Sequence, residues 1–574
     1  MNIGVIGWWH YGNEGDFRIL ESLYQALLPH TLVPIDAPFR LTADVIHRLN
    51  RLDFVLIGGG GLFIGGPPRP FDTFHQWADE LQTPLGVVGV GIDAIANEKR
   101  PALSALLERA EFFYVRDRVS LELLSHPKAS LIPDLTFLYP QRINFSQRKH
   151  QTGDAAICGV NLREMPHIQM DAWIKTFQRM ELDFRGIPLS TYGKWSETEL
   201  LQQIDPQCVQ QFSPDLYRGL DLMVGTAFHS IIFAIQNAVP VIAIAYAPKV
   251  PRLMHELGLD GYVLSPDDWD RLPALIEHAL QEREQLIRHL HAVTMRLRRE
   301  AHRAFIDVRE QIETESRGKK HLEHGKVSIV ILGSDRTGLN GQTLTSCLDQ
   351  TYHNVEIIFV QESTSLAPMT QPRNKLVRTL MTHPQSSLGN RLNRAFAHAS
   401  GQYYTWIRAG DVYAPDAVAY MIDQLVHGND CDLVFANYYL LHERDHIAKT
   451  HFTEKPDRLF RRDVIGPCFL YRRQLHEQVG TYHSDTPLTA YDFWLRARDV
   501  GNMQPLNLPL FYQHPSNVDS NSKEARKVRR LWRQGQALPE RLFWRAIDSE
   551  LAETLIIDPL LPIWHKLRGT AKAR

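Results

Sequence analysis

The chain has 574 residues, of which 44% are hydrophobic and 22% charged. This length suggests roughly three or four domains, and the composition excludes a mainly disordered or fibrous protein. With 63 basic and 65 acidic residues the net charge is −2, so we expect no nucleic-acid partner. The five cysteines form no C-x-x-C pair, which favours a reducing compartment over a disulfide framework.

The first residues indicate a β-strand and not a signal peptide, because they lack a basic start and meet glycine early. No uninterrupted apolar stretch is long enough to cross a bilayer. We therefore expect a cytoplasmic protein, with peripheral contact at the inner membrane face left open. The tail from residue 521 to 574 interleaves basic and aromatic residues. Helices packed with a solvated basic face are favoured there over membrane docking, because acidic residues interrupt the basic face.

Short apolar runs followed by glycine or polar turns recur through the first 300 residues. In the first part they are Asn2–Gly7, Phe54–Ile57, Leu85–Val90 and Phe112–Val115. Alternation of such strands with helical spacing predicts a parallel sheet with helices on both faces. The pattern repeats from residue 155 to 300. We predict two Rossmann-like halves, about 1–140 and 155–300, within a domain 1–313, with ligands at the carboxyl ends of the strands.

A charged segment of low hydrophobicity, residues 314–325, separates this domain from the rest of the chain and is predicted to be a linker. Apolar runs at Val327–Leu332 and Val355–Val360 then begin another α/β pattern. We predict a third α/β domain over 326–520 and a helical tail over 521–574.

A series of motifs runs through the first domain in a fixed order. They are Asn13-x-Gly15-Asp16, the glycine run 58–61, V-R-D-x-x-S from residue 115, D-L-T-F from 134, N-L-R from 161, F-H-S-x-x-F-A from 228 and Y-x-P-K-V from 246. This succession resembles the polysaccharide pyruvyl transferase family. The resemblance implies a GT-B-like fold and transfer of the enolpyruvyl-derived group of phosphoenolpyruvate to a saccharide, as in exopolysaccharide or cell-envelope synthesis.

The implied chemistry needs cations for a phosphate and a carboxylate, and an acid and a base for two proton transfers. We expect His229 and Asp16 to be catalytic, with a structural histidine and an ordinary tight turn as the alternatives. The expected substrate-binding residues are Asn13, Gly15, Gly59, Gly60, Arg163, Ser230 and Lys249.

Two positions depart from the family pattern. Ala227 stands where the family usually has arginine two residues before the histidine, and Phe17 stands where it commonly has glutamate. Loss of that arginine removes a charge-assisted contact to an anion. Another cation takes its place, the donor is a different molecule, or the domain does not catalyse this reaction.

Motifs in the third domain resemble family 2 glycosyltransferases of the GT-A fold. They include L-x-S-C-L-x-Q-T-Y from residue 344, N-R-A-F-x-x-A-x-G from 393, D-x-x-x-P from 411, D-F-W-L-R from 492 and Y-Q-H-P from 512. The resemblance implies a nucleotide sugar held through Mg²⁺ or Mn²⁺ on an aspartate pair. The residues expected at such a site are Arg408, Asp411 and Asp492.

These positions are altered, because only Asp411 remains of the aspartate cluster and Thr489-Ala490 replace the usual Glu-Asp. Arg408 would repel a divalent cation, so Asp411 is at most a candidate ligand and no metal site is assigned. Arg408 could instead neutralise a diphosphate directly. The alternative, which we favour, is a domain that binds without catalysing.

The sequence thus predicts a transferase of cell-envelope or exopolysaccharide biosynthesis, with pyruvyl transfer to a saccharide or lipid-linked saccharide as the first hypothesis. A glycosyltransferase using a nucleotide sugar and a non-catalytic glycan- or nucleotide-binding scaffold are the alternatives. The acceptor sugar, the linkage and the oligomeric state are left open.

Overall fold

A computed structural model of the chain describes most of the first 517 residues. The described ranges are 1–9, 12–36, 42–63, 70–92, 100–139, 156–164, 169–190, 196–208, 212–316, 324–333, 337–362, 376–383, 385–428, 430–442, 447–460, 462–483 and 489–517. They fold into two compact units, one within the first 320 residues and one within the remainder. The predicted tail 521–574 lies outside the described residues, as do residues 317–323 of the predicted linker.

The first half of unit 1 is a six-stranded parallel sheet in the order β2-β1-β3-β4-β5-β6. Its elements are β1 (Asn2–Gly7), α1 (Glu14–Ala26), β2 (Thr31–Asp36), α2 (Ala43–Asn50), β3 (Phe54–Phe63), β4 (Leu85–Ile92), α3 (Arg100–Arg109), β5 (Phe113–Val115), α4 (Arg118–Leu124) and β6 (Ala129–Leu131). Every residue of β4 is buried, as expected for a central parallel strand covered on both faces. The side chain of Asn13 caps α1 by accepting from the Gly15 N–H at 3.1 Å.

The second half is a five-stranded parallel sheet in the order β11-β10-β9-β7-β8. Its elements are β7 (Ile157–Asn161), α5 (Met170–Gln178), β8 (Asp183–Gly186), α6 (Thr198–Leu201), β9 (Leu222–Gly225), α7 (Phe228–Gln236), β10 (Val241–Ile244), α8 (Lys249–Glu256), β11 (Val263–Leu264), α9 (Leu272–Gln281) and α10 (Arg283–Glu315). The Glu14 N–H donates to the Leu189 carbonyl at 3.0 Å, which ties the start of α1 to the second half. The predicted pair of Rossmann-like halves is confirmed.

Helix α10 is 33 residues long and packs against α7 and against the turn Leu135–Leu138 of the first half. It therefore contacts elements of both halves of unit 1. Because it continues through Glu315, the first two residues of the predicted linker are helical, and the linker begins later than predicted. None of the described helices is long and apolar enough to cross a membrane.

Unit 2 is built on one mixed sheet of nine strands. Its elements are β12 (Val327–Leu332), α11 (Thr337–Leu348), β13 (Val355–Glu362), β14 (Val377–Thr382), α12 (Leu388–Phe396), β15 (Tyr403–Arg408), β16 (Val412–Tyr413), α13 (Ala417–His427), β17 (Leu433–Leu441), β18 (Ile447–His451), β19 (Phe469–Arg472), α14 (Arg473–Val479), α15 (Thr489–Arg498) and β20 (Met503–Gln513). Strands β14-β13-β12-β15 are parallel, and β19 continues the sheet antiparallel to β15. The predicted third α/β region is present.

Candidate functional site

His229 lies near the start of α7, the helix that follows β9, and is only 7% exposed. Its ring stacks on Phe233 at 6.0 Å between centroids. The other side of the ring lies against the backbone of Gly15, so closely that a Cβ at residue 15 would overlap it. Gly15 belongs to α1 of the first half, so the predicted residues Gly15 and His229 meet where the two halves face each other.

Asp134, from the first half, is the carboxylate beside His229. Its Oδ2 lies 3.6 Å from the His229 Nε2, and its Oδ1 accepts from the Thr136 N–H and hydroxyl at 3.1 and 2.7 Å. The Thr136 hydroxyl accepts in turn from the Gln236 amide at 3.0 Å. Burial alone would raise the pKa of this carboxyl, but the His229 imidazole, the Arg116 guanidinium and the Thr136 hydroxyl hold it well below its usual range. The arrangement fixes a carboxylate on one side of the imidazole.

Asp16, which is half-buried, is a second carboxyl near His229. Its Oδ2 accepts from the Asn13 amide at 2.8 Å, and a Cβ at Gly60 would lie 2.8 Å from its Oδ1. Burial raises the pKa of Asp16, although positive charge at His229 opposes the shift. The pKa values of Asp16 and Asp134 are thus shifted in opposite directions. This pattern distinguishes a proton donor from a group that stays ionised.

Two cations flank Phe228, the residue that follows Ala227. The Arg116 guanidinium lies 4.4 Å from the centroid of the Phe228 ring, and its Nη1 lies 3.8 Å from the Asp134 Oδ2. The Lys249 Nζ lies 5.6 Å from the same ring. Positive charge is therefore available beside the position where the family usually has arginine, supplied by other elements. This favours the first of the three alternatives left open by Ala227.

Three polar atoms of this cluster are buried and make no hydrogen bond within the described part of the chain. They are the Arg116 Nε, the Asp134 Oδ2 and the His229 Nε2. Buried polar atoms are nearly always hydrogen-bonded in proteins, so such exceptions need an explanation. The cluster has the chemistry of a site whose ligand supplies the missing partners.

Arg163 is engaged by a carboxylate. Its Nε and Nη2 lie 2.8 and 2.7 Å from the Glu197 Oε1. The Glu197 Oε2 accepts from the Asn161 amide at 2.7 Å and from the Leu189 N–H at 2.8 Å. The pairing with Glu197 raises the pKa of Arg163 against the opposing effect of burial. Arg163 is positioned by this pair, and contact with a donor anion stays a prediction for it.

The remaining predicted residues of unit 1 shape the backbone. The Ser230 hydroxyl donates to the Ala227 carbonyl at 2.6 Å inside the first turn of α7. Gly59 has φ = +83° and packs on Ile19. Gly60 has φ = +79°, a backbone conformation that side chains disfavour. These residues let α1, α7 and the end of β3 approach one another.

A cavity of about 470 Å³ adjoins the cluster. It lies between α4, α8 and α10 and reaches Arg116, Asp134, Phe228 and Lys249. Arg116, Asp134 and Glu197 were not among the predicted site residues. The V-R-D and D-L-T-F motifs contain the first two, but a motif does not state which side chains from distant segments meet.

In unit 2, Asp411 is tied to the segment after β20. Its Oδ1 accepts from the His514 N–H at 2.8 Å and from the Asn517 amide at 3.0 Å. Its carbonyl accepts from the Thr343 hydroxyl at 2.8 Å. Arg408 donates from Nη1 to the Asn517 carbonyl at 3.3 Å. Arg408 and Asp411 therefore brace the same turn.

Asp492 has a separate set of partners. Its Oδ2 lies 2.9 Å from the His483 Nδ1 and 3.1 Å from the Arg496 Nε. Arg496 also donates to the Val479 and Thr481 carbonyls, so Asp492 fixes α15 to the turn after α14.

The resemblance to GT-A enzymes implies a divalent cation in unit 2. Within the described ranges no group of three or more His, Cys, Asp or Glu side chains is placed to hold a metal ion. Asp411 already accepts two hydrogen bonds on one oxygen, and Arg408 brings positive charge to the same turn. The residues present do not fit Mg²⁺ or Mn²⁺, which need several oxygen ligands.

The described residues form two Rossmann-like α/β halves with a buried charged cluster, and a mixed sheet follows them in the chain. Residues 17–248 match the family model "Polysaccharide pyruvyl transferase", and residues 341–480 match "Glycosyl transferase family 2". The chain is thus similar, over two separate stretches, to a polysaccharide pyruvyl transferase and to a family 2 glycosyl transferase, and both family descriptions are of transferases.

Curated relatives are similar over part of their length. An uncharacterized glycosyltransferase of Rickettsia conorii is 23% identical over 199 residues, which cover 31% of this chain and 32% of the relative. One of Rickettsia prowazekii is 23% identical over 194 residues, 31% of this chain and 60% of the relative. The chain therefore spans about one third to three fifths of these relatives.

Solved structures are similar at low identity. S. aureus TarS is 15% identical with a TM-score of 0.30, covering 38% of this chain and 41% of that chain. A mannosyltransferase from Pyrobaculum calidifontis in complex with GDP-Man and Mn²⁺ is 14% identical with a TM-score of 0.28, covering 43% and 81%.

Proposed function

We propose that unit 1 transfers the enolpyruvyl-derived group of phosphoenolpyruvate to two hydroxyls of a saccharide in cell-envelope or exopolysaccharide synthesis. The product is a pyruvate ketal, and inorganic phosphate leaves. The observation that carries the proposal is the position of His229 between the backbone of α1 and the Asp134 carboxylate, with cations alongside. The family match over residues 17–248 supports it.

Arg116 and Lys249 are proposed to hold the donor. Phosphoenolpyruvate carries a phosphate and a carboxylate, and both are bound well by guanidinium and ammonium groups. Arg116 is buried and its Nε has no hydrogen-bond acceptor among the described residues. A charge-assisted hydrogen bond to that Nε would satisfy it in a site of low dielectric, where such bonds are strong.

The proton transfers are assigned to His229 and Asp16. The methylene carbon of the donor gains a proton while the first acceptor hydroxyl attacks the adjacent carbon and loses its own. The second hydroxyl then attacks the same carbon, the bond to phosphate breaks, and the second hydroxyl proton leaves with the phosphate. The raised pKa of Asp16 suits a proton donor, and His229 is proposed as the base. Asp134 is a positioning residue that stabilises a protonated imidazole, as the aspartate of a catalytic triad does.

The test is an activity assay on the full chain. Phosphoenolpyruvate is supplied with a broad panel of saccharides, and both phosphate release and the ketal methyl signal in NMR are followed. His229→Gln is expected to lower turnover by about 10²–10⁴-fold, the usual contribution of general acid–base catalysis. His278→Gln, an exposed histidine of α9, is the matched control and should leave turnover unchanged. Failure of the wild-type chain to form a ketal with any saccharide would exclude the proposal.

For unit 2 we propose binding of a glycan or nucleotide sugar without turnover. The specific observation is that Asp411 is committed to hydrogen bonds within the fold. The full chain would be titrated with UDP-GlcNAc and GDP-mannose, each with and without Mn²⁺. Binding that does not depend on Mn²⁺ and gives no sugar transfer or hydrolysis supports the proposal. Metal-dependent turnover would show instead that unit 2 is a glycosyltransferase.

A further inference from the structure

The cavity beside the charged cluster extends well beyond the residues assigned to the donor. Four of its lining residues, Arg116, Asp134, Phe228 and Lys249, belong to the charged cluster, and we call the part that they line its inner end. The outer part is lined by α4, α8 and α10 and opens between exposed side chains of those helices. Its volume of about 470 Å³ lies in the range of about 300–1,000 Å³ typical of sites for larger organic ligands. A three-carbon donor leaves most of this space unused.

The outer part has no surplus of positive charge. It carries three arginines and four carboxylates, together with His255: the arginines are Arg118, Arg252 and Arg296, and the acids are Asp117, Glu122, Glu256 and Glu300. Binding of a diphosphate or another polyanion requires concentrated cations or N–H donors. The balance of charges here does not provide them.

The same residues suit hydroxyl groups, which both donate and accept hydrogen bonds. The carboxylates can accept from a sugar hydroxyl, and the arginines can donate to its oxygen. Apolar side chains lie between them, including Leu131, Leu253 and Leu297 from three different elements. Leu131 is 38% exposed, so apolar surface is available to the hydrophobic face of a sugar ring.

We infer that the outer part of this cavity is the acceptor subsite and takes an uncharged saccharide unit, so that any phosphate of a carrier lies outside it. The inference rests on the proposed pyruvyl transfer, because it assigns the inner end to the donor. It names the acceptor class as a neutral oligosaccharide segment. Charge in the acceptor is then expected to contribute little to its recognition.

The experiment uses two substitutions that fill the cavity from opposite walls in the full chain. Leu253→Trp lies on α8 and Leu297→Trp on α10, and both leucines are partly exposed, which leaves room at the surface for the larger side chain. Each is expected to raise the KM for a neutral disaccharide acceptor at least about tenfold, equivalent to about 1.4 kcal/mol. The affinity for phosphoenolpyruvate, measured by isothermal titration calorimetry without acceptor, should stay within about twofold. Leu253→Met is the volume-conserving control.

The charge of the acceptor is tested with disaccharides ending in galactose, mannose or N-acetylglucosamine and with their 1-phosphates. A KM for the phosphorylated acceptor that is less than tenfold lower than the KM for the neutral sugar, at low as well as high NaCl, supports the inference, because charge recognition would be strongest at low salt. A KM at least tenfold lower for the phosphorylated acceptor would overturn it, as would unchanged acceptor KM values in both tryptophan variants.

Failure of the proposed function has a different signature. In that case the wild-type chain does not bind phosphoenolpyruvate or forms no ketal. The cavity is then tested directly by saturation-transfer NMR with the same neutral disaccharides. Contact that is lost in Leu253→Trp but kept in Leu253→Met still supports a saccharide site, and no contact in the wild-type chain rejects it.

Discussion

Asp16 and Asp134 are two carboxyl groups near His229, and their surroundings shift their pKa values in opposite directions. The imidazole and Arg116 lower the pKa of Asp134 by more than burial raises it. For Asp16, burial raises the pKa by more than the nearby cations lower it. The difference matters for the proposed chemistry. Asp16 has to carry a proton that it can donate, whereas Asp134 has to stay ionised.

The opposite shifts predict opposite effects of pH on stability. The folded pKa of Asp134 lies below the unfolded value of about 3.9, so its contribution is present above about pH 4 and is lost as the pH falls. The folded pKa of Asp16 is raised, so its contribution is present at low pH and is lost as the pH rises through the folded pKa. Asp134→Asn is expected to destabilise unit 1 less at pH 3 than at pH 6. Asp16→Asn should become relatively more stabilising towards pH 6.

Hydrogen exchange of α7 in the full chain, measured at both pH values, reports these differences in unit 1 alone. The two variants serve as controls for each other. Equal pH dependence in both would contradict the assignment of the two carboxyls.

Gly15 provides a steric test of the His229 position. A Cβ at this residue would overlap the imidazole, so Gly15→Ala is expected to displace His229 and to cost about 1–3 kcal/mol as an overpacked site. Ketal formation should fall at least about tenfold, because the ring leaves Asp134. Gly261→Ala is the control, since a Cβ at Gly261 meets nothing within 4 Å. Full activity in Gly15→Ala would mean that the His229 ring is not needed where the structure places it.

Prediction from sequence succeeded where a residue type and its neighbours along the chain carry the signal. The motifs marked Asp16, Gly15 and His229 as candidates, and the fold brings them together. The partner of Arg163 was not predictable in this way, because Glu197 belongs to no motif and meets it only through the fold. For the same reason the motif identified Asp411 but not its hydrogen bonds, which it accepts from His514 and Asn517.

At the scale of elements, the strands buried on both faces were predictable because they are continuous apolar runs ending in glycine or polar turns. The short strand β8 was not, because its sequence DFRG is mixed and partly exposed. Its place in the sheet comes from pairing with β7 and not from its own pattern. Helix α10 contacts the turn Leu135–Leu138 of the first half, and its own sequence does not show which half it packs against.

Asn161, at the end of β7, joins several elements of the second half. Its amide donates to the Ile187 carbonyl and to Glu197, and its Oδ1 accepts from the Ala227 N–H at the start of α7. Asn161→Ala leaves these buried groups without partners, at a cost of at least about 1–3 kcal/mol. We expect faster hydrogen exchange in α7 and a higher KM for phosphoenolpyruvate, because the helix that carries His229 loses its anchor.

Asn50→Ala is the matched control for this change. Asn50 also bridges two backbone groups, the Glu80 carbonyl and the Gln82 N–H, but it does so at the surface of the first half. A smaller loss of stability and an unchanged KM are expected there. Equal effects of the two substitutions on KM would contradict a specific role of Asn161 in placing α7.

At the scale of the whole molecule, the two units differ in the hydrogen-bond partners of their candidate site residues. Unit 1 keeps buried polar atoms without hydrogen bonds beside a cavity, among its described residues. In unit 2, the side chains of Asp411, Arg408 and Asp492 bind to turns and helices of the same unit. Donor chemistry is therefore expected in the first unit and not in the second.

Hydrogen exchange on the full chain can locate the donor directly. Phosphoenolpyruvate at about a hundredfold excess over Kd stabilises the bound unit by about 2.7 kcal/mol. Protection is expected in peptides covering residues 113–139 and 222–236, and not in those covering 403–413. Mn²⁺ should change neither set, because the described residues of unit 2 do not fit a divalent cation.

Asp411→Ala completes the comparison between units. It should destabilise unit 2 by about 1–3 kcal/mol, since the His514 N–H and the Asn517 amide lose their acceptor, while ketal formation stays at the wild-type rate. Asp411→Asn keeps an acceptor oxygen at the same place and should recover most of that stability. If Asp411 bound a metal ion instead, both substitutions would remove Mn²⁺-dependent protection from hydrogen exchange to the same extent. The ratio of the two stability losses therefore decides whether Asp411 serves the fold or a metal.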